Sequence, residues 1–83
     1  MTDDEVLERL TVVFRDIFQD GAIVATREMT AADVERWDSL SHIDMILMVE
    51  QDFRIRIPTR AVARMRNVGE LVALIQRLAG QAN

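Results

Sequence analysis

The sequence predicts an all-α protein: a small four-helix bundle with three longer helices, one short third helix and a long loop between helices 1 and 2. Apolar residues recur at spacings of three and four in three stretches of the 83-residue chain, which is the period of a helix with one buried face. Residues that favour helix N-caps precede these stretches. The length and a hydrophobic fraction of 49% fit one globular domain over residues 1–83.

The first helix is predicted over residues 3–18. Thr2 and Glu5 have the spacing of a capping box, and Asp20-Gly21 is expected to end the helix. Its apolar face consists of Val6, Leu7, Leu10, Val13, Phe14 and Ile17.

Residues 20–37 show no sustained period and predict a long loop. Such loops are uncommon in compact domains and are often functional. A few scattered apolar side chains are expected to hold the loop to the core: Ile23, Val24, Met29 and Val34. The alternative is a short extra helix near residues 31–36.

The second helix is predicted to begin at Asp38 or Ser39 and to continue through Phe53. It is apolar on two sides. One broad side carries Ile43, Met45, Ile46, Val49 and Phe53, and the other carries Leu40 and Leu47 next to Asp44 and Gln51. Because so small a domain buries few helices all round, we interpret the second side as a binding surface.

The rest of the chain predicts a connector and two further helices. Residues 54–57 alternate like a short strand or extended connector, Pro58 breaks it, and residues 59–65 favour a short helix. Asn67 and Glu70 resemble a capping box, and Gly80 is a candidate C-cap. The face of this last helix is Val68, Leu71, Val72, Ile75 and Leu78.

The composition excludes several classes of protein. Without cysteine there is no disulfide scaffold, thiol nucleophile or thiolate metal site, and one histidine rules out a multi-histidine metal site. No apolar run approaches the ~20 residues that span a bilayer. The N-terminus is acidic, unlike a signal peptide. We therefore expect a cytoplasmic protein with no bound metal and no membrane association.

The charges are unevenly distributed. Residues 1–44 carry eleven acidic residues and four arginines, net -7, whereas residues 45–83 carry three acidic residues and six arginines, net +3. The acidic half argues against nucleic-acid binding, which requires a basic surface. A small helical adaptor or regulator that binds protein or nucleic acid through Arg54–Arg66 is kept as an alternative function.

Both serines of the chain lie in the stretch from Trp37 to His42, which allows three interpretations. The first is a helix cap without further function. The second is a hydrolase that uses Ser39 and His42. A triad also needs an orienting acid, an oxyanion hole and a pocket, and the chain has one histidine and no glycine near the serine, which argues against it. The third is a modified serine, since an anionic group on Ser39 would lie at the positive end of the helix dipole.

These residues resemble the acyl carrier protein family. The resemblance covers about residues 3–79 and is strongest where several features occur in the same order as in the family. The matching residues are Trp37-Asp38-Ser39-Leu40, Ile43, Asp44, Phe53, Ile57-Pro58 and Asn67-Val68-Gly69-Glu70-Leu71-Val72.

The resemblance implies a carrier that catalyses no reaction itself. Ser39 would receive 4'-phosphopantetheine from coenzyme A through a phosphopantetheinyl transferase, and the thiol of that arm would hold an acyl or aminoacyl group. Asp38 would assist the transfer, and Leu40, Asp44 and Leu47 would touch partner enzymes that load, condense or transfer acyl groups. The protein would act as a monomer. The residues implied to line the interior are Ile43, Ile46, Val49, Phe53, Ile57, Leu71 and Ile75.

The third-helix region departs from the common fatty-acid pattern, which is acidic there. It carries Arg60, Arg64 and Arg66, after Arg54 and Arg56. Arg60 and Arg64 are four residues apart and share one face of a helix. We interpret this pair as a partner-recognition site of a carrier for a specialised fatty-acid, lipid or secondary-metabolite pathway. The competing interpretation is a solvated face that pairs with Asp52 or Glu70.

Overall fold

Four α-helices and one 3-10 turn form the computed structural model, which describes the backbone of residues 1–81 and the side chains of residues 1–80. We number the α-helices α1 to α4. Over this part of the chain there is no strand, so the predicted all-α four-helix bundle is confirmed. The helices are α1 (Asp3–Ile17), α2 (Ser39–Phe53), α3 (Thr59–Ala63) and α4 (Val68–Gln81), and the 3-10 turn is Ala31–Asp33.

The start of α1 agrees with the prediction and its end does not. The Thr2 hydroxyl accepts from the Glu5 amide at 3.2 Å, and the Glu5 carboxylate accepts from the Thr2 amide at 2.8 Å, which completes the capping box. The helix ends at Ile17, before Asp20-Gly21. Gln19, with φ of 52°, takes the left-handed conformation in the turn that follows.

The long loop between α1 and α2 is held to the core at alternating positions. Ile23 and Ala25 are buried, whereas Val24 is 59% exposed, so the prediction for Val24 is wrong. In extended backbone successive side chains point to opposite sides, and the hydrogen bond from the Ala25 amide to the Thr11 hydroxyl (2.9 Å) sets which side faces the core. Val34 is buried as predicted, and the alternative short helix is present as the 3-10 turn.

The same loop also caps α4. The amides of Val68 and Gly69, in the first turn of α4, donate to the carbonyls of Met29 and Arg27, each at 2.9 Å. Asn67 accepts from the Glu70 amide at 2.9 Å, as predicted for a cap. Loop carbonyls therefore satisfy helix amides that have no partner inside the helix, and they fix the loop against α4.

Two boundaries near the C-terminal end differ from the prediction. α3 ends at Ala63 with Arg64 as its cap, two residues before the predicted end. Gly80 lies inside α4, which continues to Gln81, so the predicted C-cap at Gly80 is wrong. In residues 54–57 the side chains of Ile55 and Ile57 are buried and those of Arg54 and Arg56 are exposed, which confirms the extended connector.

The core lies where α1 packs against α2 and α4. An aromatic cluster closes it at the end next to α2: Trp37 stacks on Phe18 with ring centroids 5.0 Å apart and contacts Phe14 at 5.5 Å. α3 contributes no fully buried residue and lies on the outside of the bundle. The buried residues of the three long helices are Val6, Leu10, Val13, Phe14, Met45, Ile46, Val49, Phe53, Val68, Leu71, Val72, Leu74 and Ile75.

Candidate functional site

The first turn of α2 is built by a capping box between Asp38 and Ser41. The Asp38 carboxylate accepts from the Ser41 amide at 2.9 Å, and the Ser41 hydroxyl accepts from the Asp38 amide at 2.9 Å. The hydrogen bond from the Ser41 amide holds the pKa of Asp38 below its usual value. Asp38 therefore stays ionised as the N-cap, the first of the two predicted helix starts.

The two serines of this turn have different roles. The Ser41 hydroxyl is engaged, because it accepts from the Asp38 amide and donates to the Arg36 carbonyl at 2.8 Å. Ser39 is exposed, and its hydroxyl makes no hydrogen bond with any described residue. Of the two, Ser39 presents a hydroxyl that is free to react.

His42 is a packed residue rather than a base for Ser39. Its Nδ1 accepts a hydrogen bond of 2.9 Å from Nε1 of Trp37, and the two rings stack with centroids 5.9 Å apart. Burial lowers the pKa of His42, which favours the neutral imidazole that this hydrogen bond requires. The prediction of a half-buried histidine is confirmed.

One face of α2 carries an exposed apolar row, Leu40, Ile43 and Leu47, with exposed fractions of 70%, 57% and 52%. Together with the exposed Asp44 we call it the α2 outer face. The exposure of Leu40 and Leu47 agrees with the sequence pattern. The prediction that Ile43 lines the interior is wrong: it lies three residues after Leu40 and four before Leu47, so the three share a side. That spacing was visible in the sequence. The other residues implied to line the interior are buried, namely Ile46, Val49, Phe53, Ile57, Leu71 and Ile75.

Arg60 and Arg64 do not pair with the acidic residues considered as their partners. Asp52 forms an ion pair with Arg9 at 3.2 Å, and Glu70 pairs with Arg66 at 3.7 Å. Both Arg60 and Arg64 are exposed and line one groove between α3 and α4. No α2 residue lines this groove.

Residues 1–81 contain no helix that is both long and apolar enough to cross a membrane. Over the same residues, no group of three or more histidine, aspartate or glutamate side chains is arranged to hold a metal ion.

Similar solved structures agree with this fold. A holo acyl carrier protein from Geobacter metallireducens is 37% identical, with a TM-score of 0.86 over 92% of this chain and 87% of that one. An acyl carrier protein from Thermotoga maritima is 16% identical, with a TM-score of 0.85 over 98% of this chain and 94% of that one, and supports the fold alone.

Curated relatives carry the same family name. The meromycolate extension acyl carrier protein of Mycolicibacterium smegmatis is 29% identical over 77 residues, which are 93% of this chain and 78% of that protein. The acyl carrier protein of Rhodococcus erythropolis is 26% identical over 93% of this chain and 85% of its own length. No protein-family model matches the chain.

The fold is that of an acyl carrier protein. It has the same order of helices, with a long loop before α2 and a short, exposed α3. Given 37% identity across most of both chains, the chain belongs to the acyl carrier protein family.

Proposed function

We propose that this protein carries acyl groups on a 4'-phosphopantetheine arm attached to Ser39. The observation that supports the attachment point is the difference between the two serines of α2. Ser41 is held in the capping box, whereas the Ser39 hydroxyl is exposed and has no hydrogen-bond partner among the described residues. When bound, the arm supplies a thiol that carries the acyl group as a thioester, a group that this cysteine-free chain lacks.

The residues around Ser39 fit such a group. Ser39 is the first residue of a 15-residue helix, where backbone amides and the helix dipole favour an anionic phosphodiester. The Asp38 carboxylate accepts from the Ser41 amide in the capping box. It makes no hydrogen bond with the Ser39 hydroxyl, which stays accessible. The Trp37–His42 hydrogen bond links the residue before the N-cap to the first turn of α2 and stabilises that turn. The chain thus supplies an exposed attachment point at the start of a capped helix.

The α2 outer face is the surface proposed to dock partner enzymes. It carries a row of three exposed apolar side chains, Leu40, Ile43 and Leu47, with the exposed Asp44 among them. A contiguous exposed apolar row is typical of a protein-binding surface. An enzyme with an apolar patch and basic residues around it would complement this surface. Asp38, next to Ser39, would take part in recognition by the phosphopantetheinyl transferase and by the enzymes that load, condense or transfer acyl groups.

The pathway proposed is a specialised lipid pathway in the cytoplasm. Several relatives are named meromycolate extension acyl carrier protein, and their identity to this chain is 26–29%. The arginines of residues 54–66 also depart from the acidic third-helix region of the common fatty-acid carriers. Acyl groups of lipid synthesis are therefore the proposed cargo, ahead of aminoacyl groups.

The experiment is modification in vitro. The purified chain is incubated with coenzyme A, Mg²⁺ and a phosphopantetheinyl transferase, and its intact mass is measured. We expect wild type and Ser41→Ala to gain the mass of one phosphopantetheinyl group and Ser39→Ala to gain none. If Ser39→Ala gains this mass and Ser41→Ala does not, the proposed attachment to Ser39 is wrong. If none of the three proteins gains it, the carrier proposal is refuted.

A further inference from the structure

A groove of about 1140 Å³ runs between α3 and α4, and no α2 residue lines it. Its apolar lining includes Ala61, Met65 and the buried Leu74. Four exposed arginines line the same groove: Arg60, Arg64, Arg66 and Arg77. The groove therefore has an apolar part and cationic side chains around it.

The groove is a positive region on an acidic protein. Its four arginines face one acidic residue, Glu70, which pairs with Arg66, so its residues carry net +3. The whole chain carries -4, which leaves -7 on the residues outside the groove. Among the described residues, Arg60, Arg64 and Arg77 have no ion-pair partner. Three guanidinium groups are thus available to carboxylates from another molecule.

We propose that this groove docks an acidic amphipathic helix of an enzyme that exchanges acyl groups with the carrier. A helix with apolar residues on one side and glutamates three or four apart beside them matches both parts of the groove. Naming the partner as an acyl-exchanging enzyme rests on the proposed function, whereas the acidic helix is inferred from the groove itself.

Other anionic ligands fit the groove less well. Single-stranded nucleic acid is bound by aromatic side chains on which bases stack, and no aromatic residue lines the groove. The charge of -7 outside the groove would also repel a long polyanion. A short acidic helix presents its charge only at the arginines and avoids this repulsion.

The test measures binding of a labelled peptide to the whole protein. The probe is a fluorescein-labelled, lactam-stapled 15-residue helix with leucines on one face and glutamates on the other. A matched peptide carries lysines in place of the glutamates. Fluorescence anisotropy gives Kd for wild type, for Arg60→Glu/Arg64→Glu, and for Arg54→Glu/Arg56→Glu. The last variant makes the same change in net charge outside the groove.

We expect the glutamate peptide to bind wild type at least tenfold more tightly than the lysine peptide. Arg60→Glu/Arg64→Glu should raise its Kd about tenfold or more, and Arg54→Glu/Arg56→Glu less than about threefold. The affinity should fall with added salt, because exposed charges are screened within about 10 Å at 0.1 M. Amide shifts in an NMR titration should cluster in α3 and α4.

Three outcomes would overturn the inference. They are no binding of the glutamate peptide, equal losses in the two arginine variants, and tighter binding of a 20-nucleotide single strand that also depends on Arg60 and Arg64. The mass gain of wild type is measured on the same preparation. No mass gain with intact peptide binding refutes the carrier proposal alone, whereas a mass gain without peptide binding refutes only the docking groove.

Discussion

The indole Nε1 of Trp37 donates a 2.9 Å hydrogen bond to Nδ1 of His42, and this pair brackets the candidate attachment serine. Trp37 is the last loop residue before the N-cap and also stacks on Phe18 in the core. Because His42 lies one turn into α2, the contact fixes the start of the helix to the aromatic cluster. The position of Ser39 is therefore set by core packing as well as by capping.

The first prediction concerns the pH dependence of stability. Burial places the pKa of folded His42 below its usual 6.5, so the unfolded chain binds the proton first. The stability from neutral His42 is present above about pH 6.5 and is lost as the pH falls toward the folded pKa. Urea unfolding from pH 7.5 to 5.5 should show this loss, together with a shift of the Trp37 indole N–H signal. In His42→Gln the decline over this range should be smaller. If the unfolding free energy of wild type and of His42→Gln falls equally with pH, the prediction is wrong.

The second prediction separates the two serines by stability. Ser41→Ala removes the hydroxyl that bonds the Asp38 amide and the Arg36 carbonyl, and should cost about 0.5–2 kcal/mol of unfolding free energy. Ser39→Ala removes a hydroxyl without a partner among the described residues, and should change stability by less than about 0.5 kcal/mol. Chemical denaturation of the unmodified proteins measures both. A larger cost for Ser39→Ala would mean that its hydroxyl is engaged.

The third prediction separates core from surface on α2. Ile46 and Phe53 are each 8% exposed, and their substitution by alanine should cost about 2–5 kcal/mol. Ile43→Ala and Leu47→Ala should each cost less than about 1 kcal/mol but slow acyl transfer with a partner enzyme. Thermal unfolding and a transfer assay give the two values. Equal destabilisation by Leu47→Ala and Ile46→Ala would mean that α2 is buried on both sides.

The fourth prediction compares two glycines of α4. A Cβ on Gly69 would lie 3.1 Å from the Arg27 carbonyl oxygen, which itself accepts from the Gly69 amide, whereas a Cβ on Gly80 would meet nothing within 4 Å. Both substitutions by alanine gain helix propensity, about 0.5–1 kcal/mol in a helix interior and less near its end. We expect Gly69→Ala to be about 1 kcal/mol less stable than Gly80→Ala, because it displaces the loop carbonyl. Matching values would show that the loop adjusts freely.

Much of the fold could be predicted because helix starts are local. The capping boxes at Thr2–Glu5 and Asp38–Ser41 each lie within four consecutive residues, so their signal depends on no distant contact. Helix ends were harder. The turn after α1 has Gln19, and not the nearby Gly21, in the left-handed conformation, which no local pattern indicated.

The candidate site was also predicted only in part. The sequence placed Ser39 at the start of α2, but it could not distinguish a free hydroxyl from one held in a cap. It placed two apolar residues on the outer side of α2 and missed Ile43, although its spacing of three and four residues from Leu40 and Leu47 puts all three on one side. Arg60 and Arg64 were recognised as a pair, and the groove they line was not.

The sequence by itself determined the helices, their N-caps and the position of the candidate serine, because spacing, capping and helix propensity act over three or four residues. Only the tertiary structure decided that Ser41 is engaged and Ser39 free, that Val24 and Ile43 face outward, and that four arginines surround one groove. Ser41 is held by Asp38 and Arg36, within five residues, through a turn whose geometry the sequence pattern did not show. The outward-facing side chains and the groove depend on contacts between segments far apart in the chain, of the kind made by the hydrogen bonds from the first turn of α4 to residues 27–29. The spacing of apolar residues predicts the main buried face of a helix, but it does not show which of the remaining apolar side chains a distant segment will cover.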